Sequence, residues 1–258
     1  MSLSERRSRS SESDLFLTTL YESAGKPDGV ALVAVGGFGR GELSPGSDLD
    51  LLILHDGSLA NLADFVNSLL YPIWDRQGPA NLPKSVDHSV RTIKDTKEAL
   101  VDIRVILGLL DARLICGNTE LFKNLVSEVQ SAWKRDRLEE LRLSMNSRHE
   151  RFGDLAYLLE PDIKEARGGL RDINALRAIG ESEVIPIALD NLNDLESKLL
   201  DVRDSLHKVS GRDKDLLLFQ EQDKVAADLG LADADVLMGQ VATIARTIDY
   251  QLNVAWHK

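Results

Sequence analysis

The sequence predicts a small α/β domain with a mixed sheet, followed by an all-α helical bundle. Two apolar runs, residues 30–35 and 49–54, flank a glycine-rich loop, and neighbouring buried strands have this length and composition. Beyond Lys94 such runs give way to apolar residues at helical spacing. We therefore expect the sheet to lie in the first part of the chain and the bundle in the second.

The first part of the chain predicts a short series of helices and strands. Residues 1–13 are rich in Ser and Arg, offer little to bury and are expected to be a mobile lead-in. A helix is expected from Asp14 to Ala24, a second over residues 59–74, and a third strand over residues 86–92. The segment RLICGN indicates the end of an apolar helix. We expect the α/β domain to cover residues 14–118 and the helical domain to cover residues 119–258.

Two apolar stripes in the second part indicate bundle core. Their members recur at intervals of three and four residues, which is typical of helices packed side by side. The stripes are Leu195, Leu199, Val202, Leu206 and Val209, and then Leu237, Val241, Ile244, Ile248 and Leu252. We assign them to packing and to no chemistry.

Composition excludes several classes of partner. The 258 residues carry a formal net charge of −11, which argues against broad binding to nucleic acids or to anionic membranes, because both need a basic face. Cys116 is the one cysteine and cannot form an internal disulfide. The apolar runs are far shorter than the ~20 residues that span a bilayer. We expect a cytoplasmic protein with no membrane and no nucleic-acid partner.

The string VGGFGRGELSPGSDLDLLIL, residues 35–54, carries the strongest chemical signal. Gly36 and Gly37 follow a strand, where a glycine pair lets the backbone turn and approach a phosphate. Asp48 and Asp50 lie two residues apart at the head of the next strand, so their carboxylates share a face. Such a pair repels itself unless a cation intervenes, and oxygen ligands suit Mg²⁺. The alternative is a simple turn followed by a solvated strand edge.

Together, the strand, the glycine pair, Ser47 and the Asp48-x-Asp50 strand resemble the DNA polymerase beta-like nucleotidyltransferase superfamily. Within it the full string is similar to that of the PII-uridylyltransferase family. Four further strings match in family order, so the resemblance covers about residues 15–230. They are DHSVRT, RLICGN, EPDIKEARGGLRDI and GRDKDLLLFQEQ.

The resemblance implies roles for individual residues. The glycine pair Gly36 and Gly37, Ser47 and Arg40 would hold a triphosphate. Asp48 and Asp50 would bind two Mg²⁺ ions.

A third carboxylate is expected on a neighbouring strand. Many family members carry an acid at the position of Ser85, two residues before Asp87, so this chain departs from the family pattern. Because the two positions share a strand face, we assign the third-ligand role to Asp87. The alternative is an edge-strand aspartate paired with Arg91.

A second cluster of expected site residues lies in the helical part. Lys164, Gly168, Gly169 and Arg171 place two cations and a glycine pair ahead of a helical pattern, which suits an anion. We expect these residues to complete the nucleotide site. The alternative is a tight turn with solvated Arg171–Asp172 and Lys164–Glu165 pairs.

The family's activity gives the expected function. It is transfer of UMP from UTP to a tyrosine of a PII nitrogen-regulatory protein, with release of pyrophosphate. Some relatives use ATP, so an adenylyltransferase acting on PII or on glutamine synthetase is an alternative, as is a nucleotide-binding module without catalysis. Neither a phosphohydrolase domain nor ACT domains are recognisable, and we expect the chain to be an N-terminal fragment of such an enzyme.

Overall fold

The structure is a computed structural model that describes residues 3–79, 82–83, 85–182 and 189–257. The chain forms two compact units, which divide between Trp133 and Lys134. We call them the α/β unit and the helical unit. Within the described ranges, no helix combines the length and the apolar character needed to span a bilayer.

The α/β unit is built on a four-stranded mixed sheet. In chain order its elements are α1 (Leu3–Ser23), β1 (Val30–Ala34), α2 (Gly36–Gly39), β2 (Leu49–His55), α3 (Leu62–Trp74), β3 (Val86–Arg91), α4 (Ile93–Ala99), α5 (Ile103–Leu110), β4 (Arg113–Gly117) and α6 (Thr119–Ala132). The strand order is β3-β2-β1-β4. β1 runs antiparallel to β2 and β4, and β3 runs parallel to β2. All of β1 and most of β2 are buried, as the continuous apolar runs predict.

The expectation of a mobile lead-in over residues 1–13 is wrong for the part that the structure describes, because α1 begins at Leu3. Its buried face follows helical spacing but begins with polar residues. These are Arg6, Ser10 and Ser13, followed by Leu17 and Tyr21. Ser10 and Ser13 donate to the carbonyls four residues earlier, at 3.0 and 2.8 Å, so both hydroxyls are satisfied inside the helix. An apolar pattern could not reveal a stripe made of such residues.

The segment RLICGN is a strand and not the end of a helix. Its first five residues form β4, which pairs with β1 across an irregularity between Leu32 and Val33. Asn118 then caps α6, since its Oδ1 accepts from the Leu121 N–H at 2.8 Å. The α/β unit consequently ends at Trp133 and not at residue 118, because α6 packs against α5 and the sheet.

The helical unit contains α7 (Leu138–Phe152), α8 (Leu170–Glu181), α9 (Leu189–Ser210), α10 (Phe219–Asp228) and α11 (Ala234–Trp256). The two predicted stripes lie on α9 and α11. Every stripe residue is buried except Val209, which is partly buried and packs on the same core. The helical pattern after Gly169 is also confirmed, since α8 begins at Leu170.

Candidate active site

The glycine loop between β1 and β2 lies directly beside one of the predicted acids. Gly36 has φ +55°, and a Cβ built on it would lie 3.4 Å from Asp50 Oδ2. The N–H of Val35 also donates to the Asp50 carbonyl at 3.1 Å. A side chain at position 36 would fill the space next to this carboxylate, so glycine keeps it open.

Three acids gather at one end of the parallel strand pair. Asp48 precedes β2 and is exposed, whereas Asp50 lies in β2 and is half-buried. Position 48 continues the two-residue period of β2, so its side chain is expected on the face that carries Asp50. Asp87 of β3 is the register partner of Asp50. The structure thus places Asp48, Asp50 and Asp87 at neighbouring positions of the sheet.

Ser85 contacts the first acid of this group. Its hydroxyl donates to Asp48 Oδ1, and its carbonyl accepts from the Leu49 N–H at 3.0 Å. Among the described residues no ion pair joins Asp87 to Arg91. Ser85 therefore contacts the acid at position 48, whereas Asp87 lies on β3 as the register partner of Asp50.

The acids suit a divalent cation in their chemistry. Within the described ranges, no group of three or more His, Cys, Asp or Glu side chains is placed so that it could hold a metal ion. Mg²⁺, however, is commonly held by one or two carboxylates, with substrate phosphates and water completing its shell. Asp48 and Asp50, on one face beside the open Gly36 backbone, fit that requirement.

Ser47 and Arg40 have protein partners in this loop. Ser47 Oγ accepts from the Ser44 N–H at 3.1 Å, which closes the turn before β2. Arg40 forms ion pairs with Glu42 and Asp111 at 2.7 and 2.6 Å, and its side chain is only 14% exposed. Its charge is therefore shared with two carboxylates, and a phosphate contact would require one of these pairs to open.

Gly39 is a residue whose importance the sequence analysis missed. A Cβ built on it would lie 2.1 Å from the Asp111 carbonyl oxygen and 3.1 Å from that of Ala34. Only glycine permits this approach of two backbone segments. The repeated glycines of GGFG were the available signal, but nothing in the sequence identified the opposing segment.

The second predicted cluster lies in the helical unit, where the glycine pair serves packing. Gly168 has φ +84°, and a Cβ there would lie 2.6 Å from the Ala245 carbonyl oxygen of α11. A Cβ on Gly169 would lie 2.8 Å from the carbonyl oxygens of Ile163 and Ala166. Both glycines are therefore required by the turn itself.

A buried carboxylate holds this turn. Asp172 is fully buried and accepts from the Gly168 N–H at 2.7 Å. It also contacts His149 Nε2 at 2.9 Å and accepts from Arg148 Nη2. Burial alone would raise the pKa of Asp172, but its hydrogen bond to His149 and the charge of Arg148 outweigh burial and lower the pKa.

The two predicted cations of this segment face different surroundings. Arg171 is half-exposed and pairs with Glu165 at 2.9 Å. Lys164 Nζ lies 3.9 Å from Asp215 Oδ2, and burial lowers the pKa of Lys164. The pairs Arg171–Asp172 and Lys164–Glu165 of the simple-turn alternative are therefore replaced by other partners.

Comparison with protein families matches both units. Residues 19–115 match the model of the nucleotidyltransferase domain. This match, with the acid pair and the glycine loop, defines the class: the chain carries a nucleotidyltransferase domain, and such domains generally use divalent metals. Residues 136–183 and 176–254 match the model described as GlnD PII-uridylyltransferase.

Curated relatives agree with these matches, and the three described next all bear the name bifunctional uridylyltransferase/uridylyl-removing enzyme. The protein from Streptomyces coelicolor is 48% identical over 98% of this chain and 30% of its own length. That from Mycobacterium tuberculosis is 40% identical over 86% of this chain and 28% of its own length. That from Pseudomonas putida is 36% identical over 81% and 25%. The chain belongs to the PII-uridylyltransferase family and spans between 25% and 30% of the length of these relatives.

Proposed function

We propose that this chain transfers UMP from UTP to a tyrosine of a PII-type regulatory protein and releases pyrophosphate. The observation that supports the proposal is the carboxylate of Asp50 on β2, whose Oδ2 lies 3.4 Å from a Cβ built on Gly36, with Asp48 two residues earlier at the head of the strand. The name of the relatives supplies the uridylyl group, and the description of the matched family model supplies PII as the class of acceptor.

In this proposal the acids hold two Mg²⁺ ions. Asp48 and Asp50 are the main ligands, and Asp87 supplies the third carboxylate from β3. Bound metal would lower the pKa of the attacking tyrosine hydroxyl, ordinarily ~10, and neutralise charge on the triphosphate.

The remaining roles belong to the glycine loop. The backbone of Gly36 and Gly37 can approach a phosphate closely, since neither residue has a side chain. Ser47 closes the adjoining turn and lies next to Asp48 in the chain, where it would contact the triphosphate. Arg40 would contribute its charge from its paired position.

The helical unit would supply further positive charge for the nucleotide. A triphosphate carries about four negative charges, which favours cationic partners beyond the metals. We assign this role to Lys164 and Arg171, on the turn built by Gly168 and Gly169. Lys164→Ala and Arg171→Ala should each weaken UTP binding without changing affinity for the acceptor protein. Lys198→Ala, at an exposed α9 residue paired with Asp194, is the matched control.

The decisive experiment incubates the chain with a PII protein, Mg²⁺ and labelled UTP or ATP in parallel. Label transfer from UTP supports the proposal, and transfer from ATP alone would make the chain an adenylyltransferase. Asp48→Asn and Asp50→Asn should each lower the rate by at least about a hundredfold, because each removes a metal ligand. Asp56→Asn, at the opposite end of β2, should leave the rate unchanged. Retained Mg²⁺-dependent transfer in Asp48→Asn or Asp50→Asn would refute the assignment.

The third ligand is tested by a separate pair of variants. Asp87→Asn should be severely impaired. Ser85→Ala should lose no more than about tenfold, because it removes only a hydrogen bond to Asp48. The reverse order would assign the third position to residue 85.

A further inference from the structure

A second buried carboxylate of the helical unit lies behind Lys164. Asp215 is about nine-tenths buried and accepts from Arg203 Nε at 2.7 Å. It also contacts His207 Nε2 at 2.9 Å. Both partners come from α9, so they fix the carboxylate on the bundle. Its other oxygen, Oδ2, lies 3.9 Å from Lys164 Nζ.

The backbone brings the two segments together independently of these charges. The Ile163 N–H donates to the Asp215 carbonyl at 2.9 Å, and the Leu217 N–H donates to the Pro161 carbonyl at the same distance. The two hydrogen bonds bracket an antiparallel bridge between Asp162 and Leu216. The bridge therefore fixes the backbone of Lys164 next to that of Asp215.

Asp215 is ionised in this setting. Burial would raise its pKa, but the hydrogen bond from His207 and the charge of Arg203 outweigh burial and hold the pKa of Asp215 well below its usual range. The Asp215 carboxylate therefore lies near two positive charges: Arg203 at hydrogen-bonding distance and Lys164 at 3.9 Å. The ammonium group of Lys164 keeps donors available for another anion.

The surroundings of Lys164 disfavour its charged form, and Asp215 offsets part of this effect. Burial is the largest cause that lowers the pKa of Lys164, and the nearby guanidinium of Arg203 adds to it. Asp215 acts in the opposite direction. The charged groups that act on Lys164 are Arg203, Asp215, Arg171 and Glu165.

We propose that Asp215 is a positioning residue for Lys164 that holds its partly exposed ammonium in place to meet a nucleoside triphosphate. This inference rests on the proposed function for its ligand, while the coupling between the two side chains stands on the geometry. Arg203 and His207 anchor Asp215, and the bridge at residues 162 and 216 fixes both backbones. The GRDKD string would then serve the nucleotide site without touching the nucleotide.

The coupling is tested first without nucleotide, by NMR titration of isotope-labelled lysine with Lys164→Arg to assign the signal. Asp215→Asn should lower the pKa of Lys164, whereas Arg203→Gln should raise it, because these two groups act on it with opposite sign. Opposite shifts support the proposal, and a Lys164 pKa that moves in neither variant overturns it. Should Asp215→Asn not fold, Asp215→Glu takes its place, because it keeps the charge but moves it, and an unchanged Lys164 pKa in that variant overturns the proposal.

The functional arm measures MgUTP binding by titration calorimetry in a double-mutant cycle. Asp215→Asn should weaken binding by about tenfold in the wild-type background and by much less in the Lys164→Ala background, since its effect passes through Lys164. An equal loss in both backgrounds would make Asp215 purely structural and overturn the proposal. Unchanged binding in Lys164→Ala would instead remove the nucleotide role of the whole segment, even if the pKa shifts occur.

Discussion

Replacing Asp172 with Asn should destabilise the helical unit strongly. The carboxylate is fully buried and meets three donors, from Arg148, His149 and the Gly168 backbone. Asn keeps the shape but loses the charge and one acceptor oxygen. Breaking a buried ion pair on one side costs about 3–5 kcal/mol, because the remaining charge stays buried without its partner. We therefore expect a loss of this size in the free energy of unfolding.

Urea denaturation combined with hydrogen exchange and mass spectrometry measures the effect within this unit. With a denaturant slope of about 2 kcal/mol per molar, the midpoint should fall by on the order of 2 M. Peptides from α7 and α8 should lose protection first. The matched control is Asp249→Asn, which breaks the partly exposed pair with Arg167 and should cost at most about 1 kcal/mol. A midpoint shift for Asp172→Asn no larger than that of the control would contradict a stabilising role of the buried carboxylate.

The dependence on pH provides an internal check of the same prediction. The pKa of Asp172 is lowered in the folded chain, so its contribution is present above the unfolded value of about 3.9 and is lost as the pH falls through the folded value. The stability difference between wild type and Asp172→Asn should stay constant from about pH 5 to pH 8 and shrink below about pH 4. A difference that grows on acidification would contradict an ionised Asp172.

Two further predictions concern the α/β unit. Gly39→Ala should destabilise this unit by roughly 2 kcal/mol or more, because the new Cβ would meet the Asp111 carbonyl oxygen. Gly108→Ala, in open space on α5, is the control, whereas Gly41→Ala is unsuitable because φ is +74° at that residue. Equal losses of stability in Gly39→Ala and Gly108→Ala would contradict the close approach. Cys116, whose pKa burial raises to about 11, should react with iodoacetamide at pH 8 roughly a hundredfold more slowly than a thiol of ordinary pKa, and an equal rate in native and urea-unfolded chain would contradict its burial.

The elements that could be predicted from the sequence are those with one clear apolar pattern. Buried β1 and β2 appear as unbroken apolar runs, and the stripes of α9 and α11 appear as a regular helical period. The expectation for the two acids required only the two-residue period of a strand. These patterns involve residues close together in the sequence, so they can be predicted without knowing which distant residues pack against them.

The remaining features depend on partners far away in the chain. The face of α1 that is buried starts with Arg6 and two serines, and no hydropathy pattern identifies it. Strand β4 was missed because its pairing with β1 joins segments far apart in sequence. The glycine pair at 168–169 has its reason in Ala245 of α11, which sequence reasoning could not place beside it.

The parallel pairing of β2 with β3 has a consequence for the order of folding. Asp50 lies on β2 and Asp48 directly precedes it, whereas Asp87 reaches them only after the chain has crossed over through α3 and β3 has docked in parallel register. Contacts between such distant segments form slowly, because the entropy cost of closing the loop comes before the stabilisation by strand pairing. Until β3 docks, Asp50 lacks its register partner and Asp48 lacks the hydroxyl of Ser85. A cation that binds the completed acids would favour the docked state, so metal would act on the maturation of this sheet as well as on its chemistry.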